Sequence, residues 1–330
     1  MSTQNPVRQF ICAAAMAATA AFSAASMAQQ PVTLTFGHVL QENHPYHAMA
    51  LKFADELKQS APEIEVKIYP AGQLGDEKAL IEGLQTGSVD VATVTSALTA
   101  NFVPQFKAFS LPFLFRDTDH LFAVMDSDIG DELGNALQEK GLVKLGYGYG
   151  GARDLYTQVP VQNLNDLQGL KVRTMQNPAI VATWDKLGAV PTPISWNDVY
   201  VSLQQELVKG GEGTGVSYKS MNFNKVAPHF TRINYILSWH NLMMAKSKFD
   251  SLTPQQQQAV LAAGQAAAQY ERALFLEQEA ALFEELKGMG VKIYTPSDAE
   301  QWRAQAADVI AAEADNVGGK AWIERIQAVQ

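Results

Sequence analysis

The stretch NLNDLQGLKVRTMQNPAIVATWDKLGAVPTPISWNDVYVSLQQ, residues 163–205, holds the pattern that decides the fold. Apolar and basic residues alternate from Leu170 to Arg173, which predicts a short strand with Arg173 on the face opposite the apolar residues. Pro178 fits the first position of a helix that ends near Leu187, and a second extended piece and helix follow. An arginine at the carboxyl end of such a strand points into the crevice where α/β folds bind ligands. We therefore expect Arg173 to hold a carboxylate.

Strands and helices alternate on both sides of this stretch. Upstream, periodicity predicts strands at 32–36, 65–69 and 89–94, with helices at 46–59 and 76–85. Further along, we expect a helical region at 119–140 that breaks near 126–127, then strands at 142–149, 233–237 and 291–294. This order predicts an α/β fold with a largely parallel sheet. A second α/β unit begins at about residue 150.

One helix is unusually long. Thr253, Pro254 and Gln256 form an N-cap, a first-position proline and a capping-box partner, and helical character then continues to Lys287. At ~1.5 Å per residue this helix is on the order of 50 Å long, which exceeds the width of one small domain. We expect it to be shared by two lobes.

Residues 1–28 predict a cleavable signal peptide. They contain one charge, Arg8, an Ala-rich apolar run over about 10–25, and small residues at 26 and 28. A buried Ala-rich helix or a membrane anchor is the alternative, but the run is short and ends in a cleavage-like motif. Residues 9–11 before Cys12 lack the small residues expected of a lipidation site, so no lipid anchor is predicted.

Removing residues 1–28 removes the only cysteine. It also leaves 24 basic residues against 34 acidic ones, a formal net charge of −10. An exported, cysteine-free chain of this size is typical of the Gram-negative periplasm. The acidic balance argues against nucleic acid and against anionic membrane surfaces as partners, and no later apolar run approaches the ~18 residues of a membrane span.

The chain resembles the DctP-type solute-binding proteins of tripartite ATP-independent periplasmic (TRAP) transporters. The motifs that carry the resemblance are YPAGQLG (69–75), LQGLKVR (167–173), LGAVP (187–191) and WNDVY (196–200). The resemblance implies a two-lobed periplasmic-binding-protein architecture with a ligand cleft between the lobes, crossing strands and a long shared C-terminal helix. It also implies a monomer that hands an organic acid to a membrane permease. We place lobe I at 29–150 plus about 239–278, and lobe II at 151–238 plus about 279–330.

One segment departs from the family. Relatives usually carry Asp-Gly-Gln-Glu-Asn-Pro where this chain has KGGEGT, residues 209–214. The segment keeps Gly210 and Glu212, but Gly213 stands where the family often has a ligand-contacting asparagine. We expect a flexible loop over 206–215 with one polar ligand contact fewer.

The resemblance also implies ligand contacts for residues in lobe II. Arg173 is the main one, and Arg153 matches a second arginine; a guanidinium grips a carboxylate with two parallel hydrogen bonds. The alternative for Arg173 is an interdomain or surface ion pair, and that for Arg153 is a local pair with Asp154 or a helix-end contact. Gln176 and Asn177 can donate to the ligand or serve the turn and the N-cap of the next helix. Trp196 can form an aromatic wall or pack in the core, whereas Ser195 with Asp198 is better explained as a capping box.

Weaker candidates lie at strand ends and helix starts around the expected cleft. Each can equally be a capping or solvated residue. They are His38, Glu77, Thr95 and Ser96. Asn241 is a further candidate because it follows a predicted crossing strand, where side chains can face the cleft. Glu212 can accept from ligand hydroxyl groups or can order the glycine-rich loop around it.

Enzymatic patterns lack their structural context. A Gly-x-Gly-x-x-Gly match at 146–151 follows a strand, but no helix follows it to bind a pyrophosphate. His44 and His47 flank Pro45 without an acidic or cysteine partner at metal-site spacing. His240 near Asp250 is a loose acid–base candidate, for which a buried histidine with satisfied hydrogen bonds is the better explanation. We predict no enzyme, cofactor or metal site, and a solute-binding protein for a small organic acid. A sensor subunit that presents the acid to a membrane receptor is the alternative.

Overall fold

The structure, a computed structural model, describes residues 32–330. Nine strands in this part of the chain form one sheet. They are β1 (Val32–Gly37), β2 (Ile64–Tyr69), β3 (Val91–Thr95), β4 (Leu142–Thr157), β5 (Lys171–Thr174), β6 (Val190–Pro193), β7 (Gly210–Thr214), β8 (His229–Ala245) and β9 (Lys292–Tyr294). The predicted signal peptide lies outside the described residues.

Helices pack against the sheet, as expected of an α/β fold. They are α1 (Pro45–Ser60), α2 (Glu77–Thr86), α3 (Ser96–Thr99), α4 (Thr118–Met125), α5 (Asp128–Glu139), α6 (Leu164–Leu167), α7 (Pro178–Lys186), α8 (Val199–Gln204), α9 (Gly215–Ser220), α10 (Lys246–Ser251), α11 (Pro254–Gly288), α12 (Ala299–Glu313) and α13 (Lys320–Ala328). Short 3-10 turns lie at 104–110, 196–198, 223–225 and 315–317.

Two long antiparallel strands organise the sheet. Its order is β2-β1-β3-β8-β4-β7-β5-β6, with β9 beside β8. The first-half strands lie on one side of the β4–β8 pair, and β5 to β7 lie on the other. The pairs β1–β3, β5–β6, β5–β7 and β8–β9 are parallel. Strand β4 runs antiparallel to β7 and β8, and β8 also runs antiparallel to β3. The sheet is therefore mixed rather than largely parallel.

The strand predicted at 142–149 continues to Thr157, so the predicted boundary near residue 150 falls inside β4. Residues Thr33–Gln330 form one compact unit. The proposed lobe boundaries therefore stay predictions. The last helix, α13, packs on first-half elements, with Arg325 bonded to Asp128 and Glu132 of α5. Our predicted division assigns this helix to lobe II.

The long helix α11 begins and ends as predicted. Thr253 and Gln256 form a complete capping box, and the helix runs for 35 residues. It packs on α1 and β4 and also on α9. No helix among the described residues has the length and apolar character needed to cross a bilayer.

The glycines of the 146–151 motif serve close packing within β4. A Cβ on Gly148 would lie 2.0 Å from Nε2 of His240, and Gly151 has a φ of +85°. His240 itself is buried, with Nε2 3.6 Å from Oε2 of Glu271 rather than beside Asp250. These glycines let α11 and β8 approach the strand, and they do not form a strand-to-helix phosphate turn.

Candidate ligand-binding site

A cavity opens beside the β4–β8 pair. First-half residues on one wall are Val39, Leu40, His44, Tyr46, Glu77 and Thr95. The other lining residues are Gly150, Arg153, Arg173, Met175, Trp196, Thr214, Ser217 and Ser238.

The order of three strands brings two arginines together. Strand β7 lies between β4 and β5, with Arg153 opposite Thr214 and Arg173 opposite Gly211. Between them, Glu212 faces both guanidinium groups. Arg153 donates from Nε to Oε2 of Glu212 at 2.7 Å, and its Nη2 lies 2.6 Å from the same oxygen. Arg173 Nη1 lies 3.6 Å from Oε1.

Glu212 is fully buried and holds this pair in place. Its carboxylate also accepts from the Met175 backbone N–H at 3.0 Å and from the Tyr235 hydroxyl at 2.6 Å. Burial is the largest effect and disfavours the charged Arg153, but the charges and hydrogen bonds of Glu212 and Tyr235 together outweigh it and hold the pKa of Arg153 above its usual value. Glu212 is not among the lining residues, so it orients the arginines instead of facing a ligand.

Arg173 is fixed from two further directions. Its Nε donates to the Ile194 carbonyl oxygen at 2.9 Å, and its guanidinium lies 5.4 Å from the ring centre of Trp196. The Trp196 ring packs on Phe223 and also lines the cavity. The tryptophan thus forms an aromatic wall and supports the arginine by a cation–π contact.

Glu77 and Thr95 form the polar part of the opposite wall. The Thr95 backbone N–H donates to Oε1 of Glu77 at 2.7 Å, and the Thr95 hydroxyl donates to Oε2 at 3.1 Å. Burial raises the pKa of Glu77, and these two hydrogen bonds partly offset the rise. The carboxyl group is oriented toward the cavity and can accept from hydroxyl groups.

Of the predicted site residues, the structure brings five together around the cavity. They are Glu77, Thr95, Arg153, Arg173 and Trp196. Gln176 is exposed and lines a smaller neighbouring pocket that shares Glu77, Arg173 and Trp196. Gly213 is buried within β7, near the rings of Trp196 and Tyr156. The predicted flexible loop at 206–215 is therefore wrong in its central part, which is a strand.

The remaining predicted residues have structural partners outside the cavity lining. Asn177 caps α7 by accepting from the Ile180 N–H, and its amide donates to the Ala97 carbonyl oxygen and the Ser110 hydroxyl. Asn241 donates to Thr99, and His38 pairs with His47 at 3.2 Å. Ser96 is buried at the start of α3. The capping interpretation of Asn177 is confirmed.

Sequence reasoning missed several lining residues, above all His44 and Ser217. His44 caps α1 by accepting from the Tyr46 N–H, and its Nε2 lies 3.1 Å from the Ser217 hydroxyl oxygen. The only local signal was the HPY sequence at 44–46, where the residue before a first-position proline is an N-cap candidate. No local pattern links two residues that lie 173 positions apart.

His44 makes a testable contribution to acid stability. Burial, helped by the charge of His38, lowers the pKa of His44 to about 3 from 6.5. Because the unfolded chain then binds the extra proton between these pH values, the folded state loses stability as the pH falls below 6.5, by about 1.4 kcal/mol per unit.

The variant His44→Asn keeps an N-cap acceptor without the titrating ring. Lowering the pH from 6.5 to 5.0 should therefore destabilise the wild-type protein by ~2 kcal/mol more than the variant. Urea unfolding at both pH values measures the difference. Equal losses in the two proteins would contradict the neutral, buried state of His44.

A protein-family comparison matches residues 36–316 to the bacterial extracellular solute-binding proteins of family 7, the DctP family. The chain belongs to this family. The match confirms the resemblance drawn from the motifs. The two-lobed α/β fold of its solved members is also the fold of this chain.

Individual relatives cover nearly the whole described chain. The 2,3-diketo-L-gulonate-binding periplasmic protein YiaO of Escherichia coli is 33% identical over 285 residues, 86% of each chain. A TRAP periplasmic solute-binding protein of Polaromonas sp. JS666, bound to D-erythronate, is 30% identical, covers 91% of this chain and 99% of its own, and has a TM-score of 0.87. A second such protein, from Xanthobacter autotrophicus Py2 and bound to β-D-galacturonate, is 30% identical, covers 90% of this chain and 100% of its own, and has a TM-score of 0.85.

Proposed function

We propose that this protein captures a small organic acid in the periplasm and delivers it to a TRAP membrane permease. The observation that carries the proposal is the arginine pair. Arg153 and Arg173 both line the cavity, yet they share one carboxylate, that of Glu212. A ligand carboxylate at Arg173 supplies the second anion that two buried guanidinium groups favour.

The other polar groups indicate a hydroxylated acid. Glu77 on the opposite wall presents acceptor oxygens, and Ser217 and Ser238 add hydroxyl groups. The relatives named above bind a diketo sugar acid, an aldonate and a uronate, all of which combine one carboxylate with several oxygens.

Contacts across the cleft provide a means of closure. Ser195 donates to Asp76 of the first half at 3.1 Å, and Asn177 donates to the Ala97 carbonyl oxygen at 2.8 Å. A ligand that contacts Glu77 and Arg173 at once binds the closed form more tightly than the open form, and so shifts the population toward it. The closed form is what the permease would recognise. Binding and release, without turnover, complete the proposed cycle.

A thermal-shift panel followed by calorimetry tests this proposal. D-Galacturonate and D-erythronate should raise the melting temperature, because a ligand at about 100 times its Kd stabilises the folded state by about 2.7 kcal/mol. The matched control is D-galactose, which keeps the sugar ring but lacks the carboxylate. One-to-one binding of an acid with no response to D-galactose supports the proposal. The proposal would be rejected if D-galactose raised the melting temperature as much as the acids do. It would also be rejected if none of the acids raised it.

A further inference from the structure

The bonding pattern assigns the tautomer of His44. Its Nδ1 accepts a hydrogen bond from the Tyr46 backbone N–H at 3.1 Å, so Nδ1 carries a lone pair. The ring is neutral at neutral pH because burial, with the charge of His38, lowers the pKa of His44 to about 3. A neutral imidazole has one protonated nitrogen. The hydrogen therefore lies on Nε2.

This assignment determines what the Ser217 hydroxyl can do. His44 Nε2–H donates to Oγ of Ser217 across 3.1 Å, and the Thr214 hydroxyl donates to the same oxygen across 2.9 Å. A serine oxygen has two lone pairs, and both are now occupied. The Ser217 hydrogen cannot return to either neighbour, since each of them points its own hydrogen at Ser217.

Ser217 borders the same cavity as the two arginines and is only half-buried. Its hydrogen is thus free to point into the cavity. Thr95, another hydroxyl on the wall, differs in this respect, because its hydrogen is already donated to Oε2 of Glu77. Ser217 can therefore donate a hydrogen bond to a ligand, whereas Thr95 can only accept one.

We propose that Ser217 is a specificity-determining residue that donates a hydrogen bond to an oxygen of the bound ligand. The inference rests on the proposed function and narrows the class of acids that the protein binds. The preferred ligand has a carboxylate at Arg173 and an acceptor oxygen, a hydroxyl or carbonyl, at Ser217. Hydroxy and oxo acids meet this requirement, whereas acids with plain hydrocarbon tails leave the donor unpaired.

Calorimetry with D-galacturonate on three proteins tests the inference. Ser217→Ala should weaken binding about threefold to tenfold relative to wild type, the usual cost of one neutral hydrogen bond. Ser220→Ala is the matched control: it lies on the same helix, α9, and its hydroxyl donates to the Ser217 backbone oxygen outside the cavity. Its affinity should stay within twofold of wild type. Circular dichroism confirms that each variant is folded.

The outcomes separate this inference from the proposed function. If the wild-type protein binds no acid, the proposed function fails first. If wild type binds D-galacturonate and Ser217→Ala binds it equally well, the role of Ser217 is overturned while the proposed function stands. A crystal structure of the wild-type complex gives a second test that needs no variant. A ligand oxygen within about 3.2 Å of the Ser217 hydroxyl supports the inference, and none within that distance overturns it.

Discussion

Arg173→Ala is expected to weaken acid binding by about 30-fold to several thousand-fold, which corresponds to the ~2–5 kcal/mol lost when one partner of a buried charge pair is truncated. The guanidinium lines the cavity, and its orientation is set by the Ile194 carbonyl oxygen and the Trp196 ring. Arg173→Lys should bind at an intermediate level, because an ammonium group keeps the charge but lacks the planar fork. Calorimetry with the tightest acid of the panel measures both.

The fold should survive the loss of Arg173. Glu212 keeps its hydrogen bonds to Arg153, the Met175 N–H and Tyr235, so no buried carboxylate is left without partners. Arg325→Ala provides the control, since this arginine pairs with Asp128 and Glu132 outside the cavity. Its acid affinity should equal that of wild type. Unchanged affinity in Arg173→Ala would remove the central claim about the site.

Local sequence signals predicted the elements whose patterns are complete in themselves. The capping box of Thr253 and Gln256 marks the start of α11 wherever the helix packs, and the Asn177-Pro178 pair likewise starts α7. Strands β1 to β3 alternate or are apolar enough to be recognised without knowledge of their neighbours. These signals act within one or two turns of chain, so tertiary context does not override them.

Strand β7 shows where such signals fail. Its sequence GGEGT has almost no side chains to pack, and glycine usually marks a loop. Here the side chains of β4 fill the space beside the glycines. A Cβ on Gly211 would lie 2.7 Å from the Tyr156 ring, and one on Gly210 would lie 2.6 Å from Thr157. The strand forms because β4 and β5 flank it on both sides. That information lies in distant parts of the chain.

The site residues also divide into those that the local sequence predicted and those that it did not. Arg173 could be predicted because it ends a predicted strand and lies in a family motif, and Arg153 because it matches a second arginine of the family, although the predicted strand ended before it. The placement of Glu212 between them depends on β7 lying between β4 and β5, which only the fold reveals. The link between His44 and Ser217 likewise depends on the approach of α1 and α9 across the cavity. Site residues could be predicted where a single element and its motif indicate them. Contacts between residues of different elements could not be predicted.

Glu212→Ala should cause the largest loss of stability, about 3–5 kcal/mol of unfolding free energy, the cost of removing one partner of a buried ion pair. Among the described residues, Glu212 is the one acid within ion-pair distance of the Arg153 and Arg173 guanidinium groups. Its removal leaves two like charges side by side in a buried region. It also removes the acceptor of the Tyr235 hydroxyl. Urea unfolding of the ligand-free protein measures the loss.

Two matched variants show which part of that loss is electrostatic. Glu212→Gln keeps an acceptor oxygen for the Met175 N–H or the Tyr235 hydroxyl but removes the charge, so its stability should lie between those of wild type and Glu212→Ala. Glu284→Ala breaks an exposed pair with Lys287 and should cost less than about 1 kcal/mol. A loss in Glu212→Ala as small as that of Glu284→Ala would mean that the two arginines need no internal counter-charge.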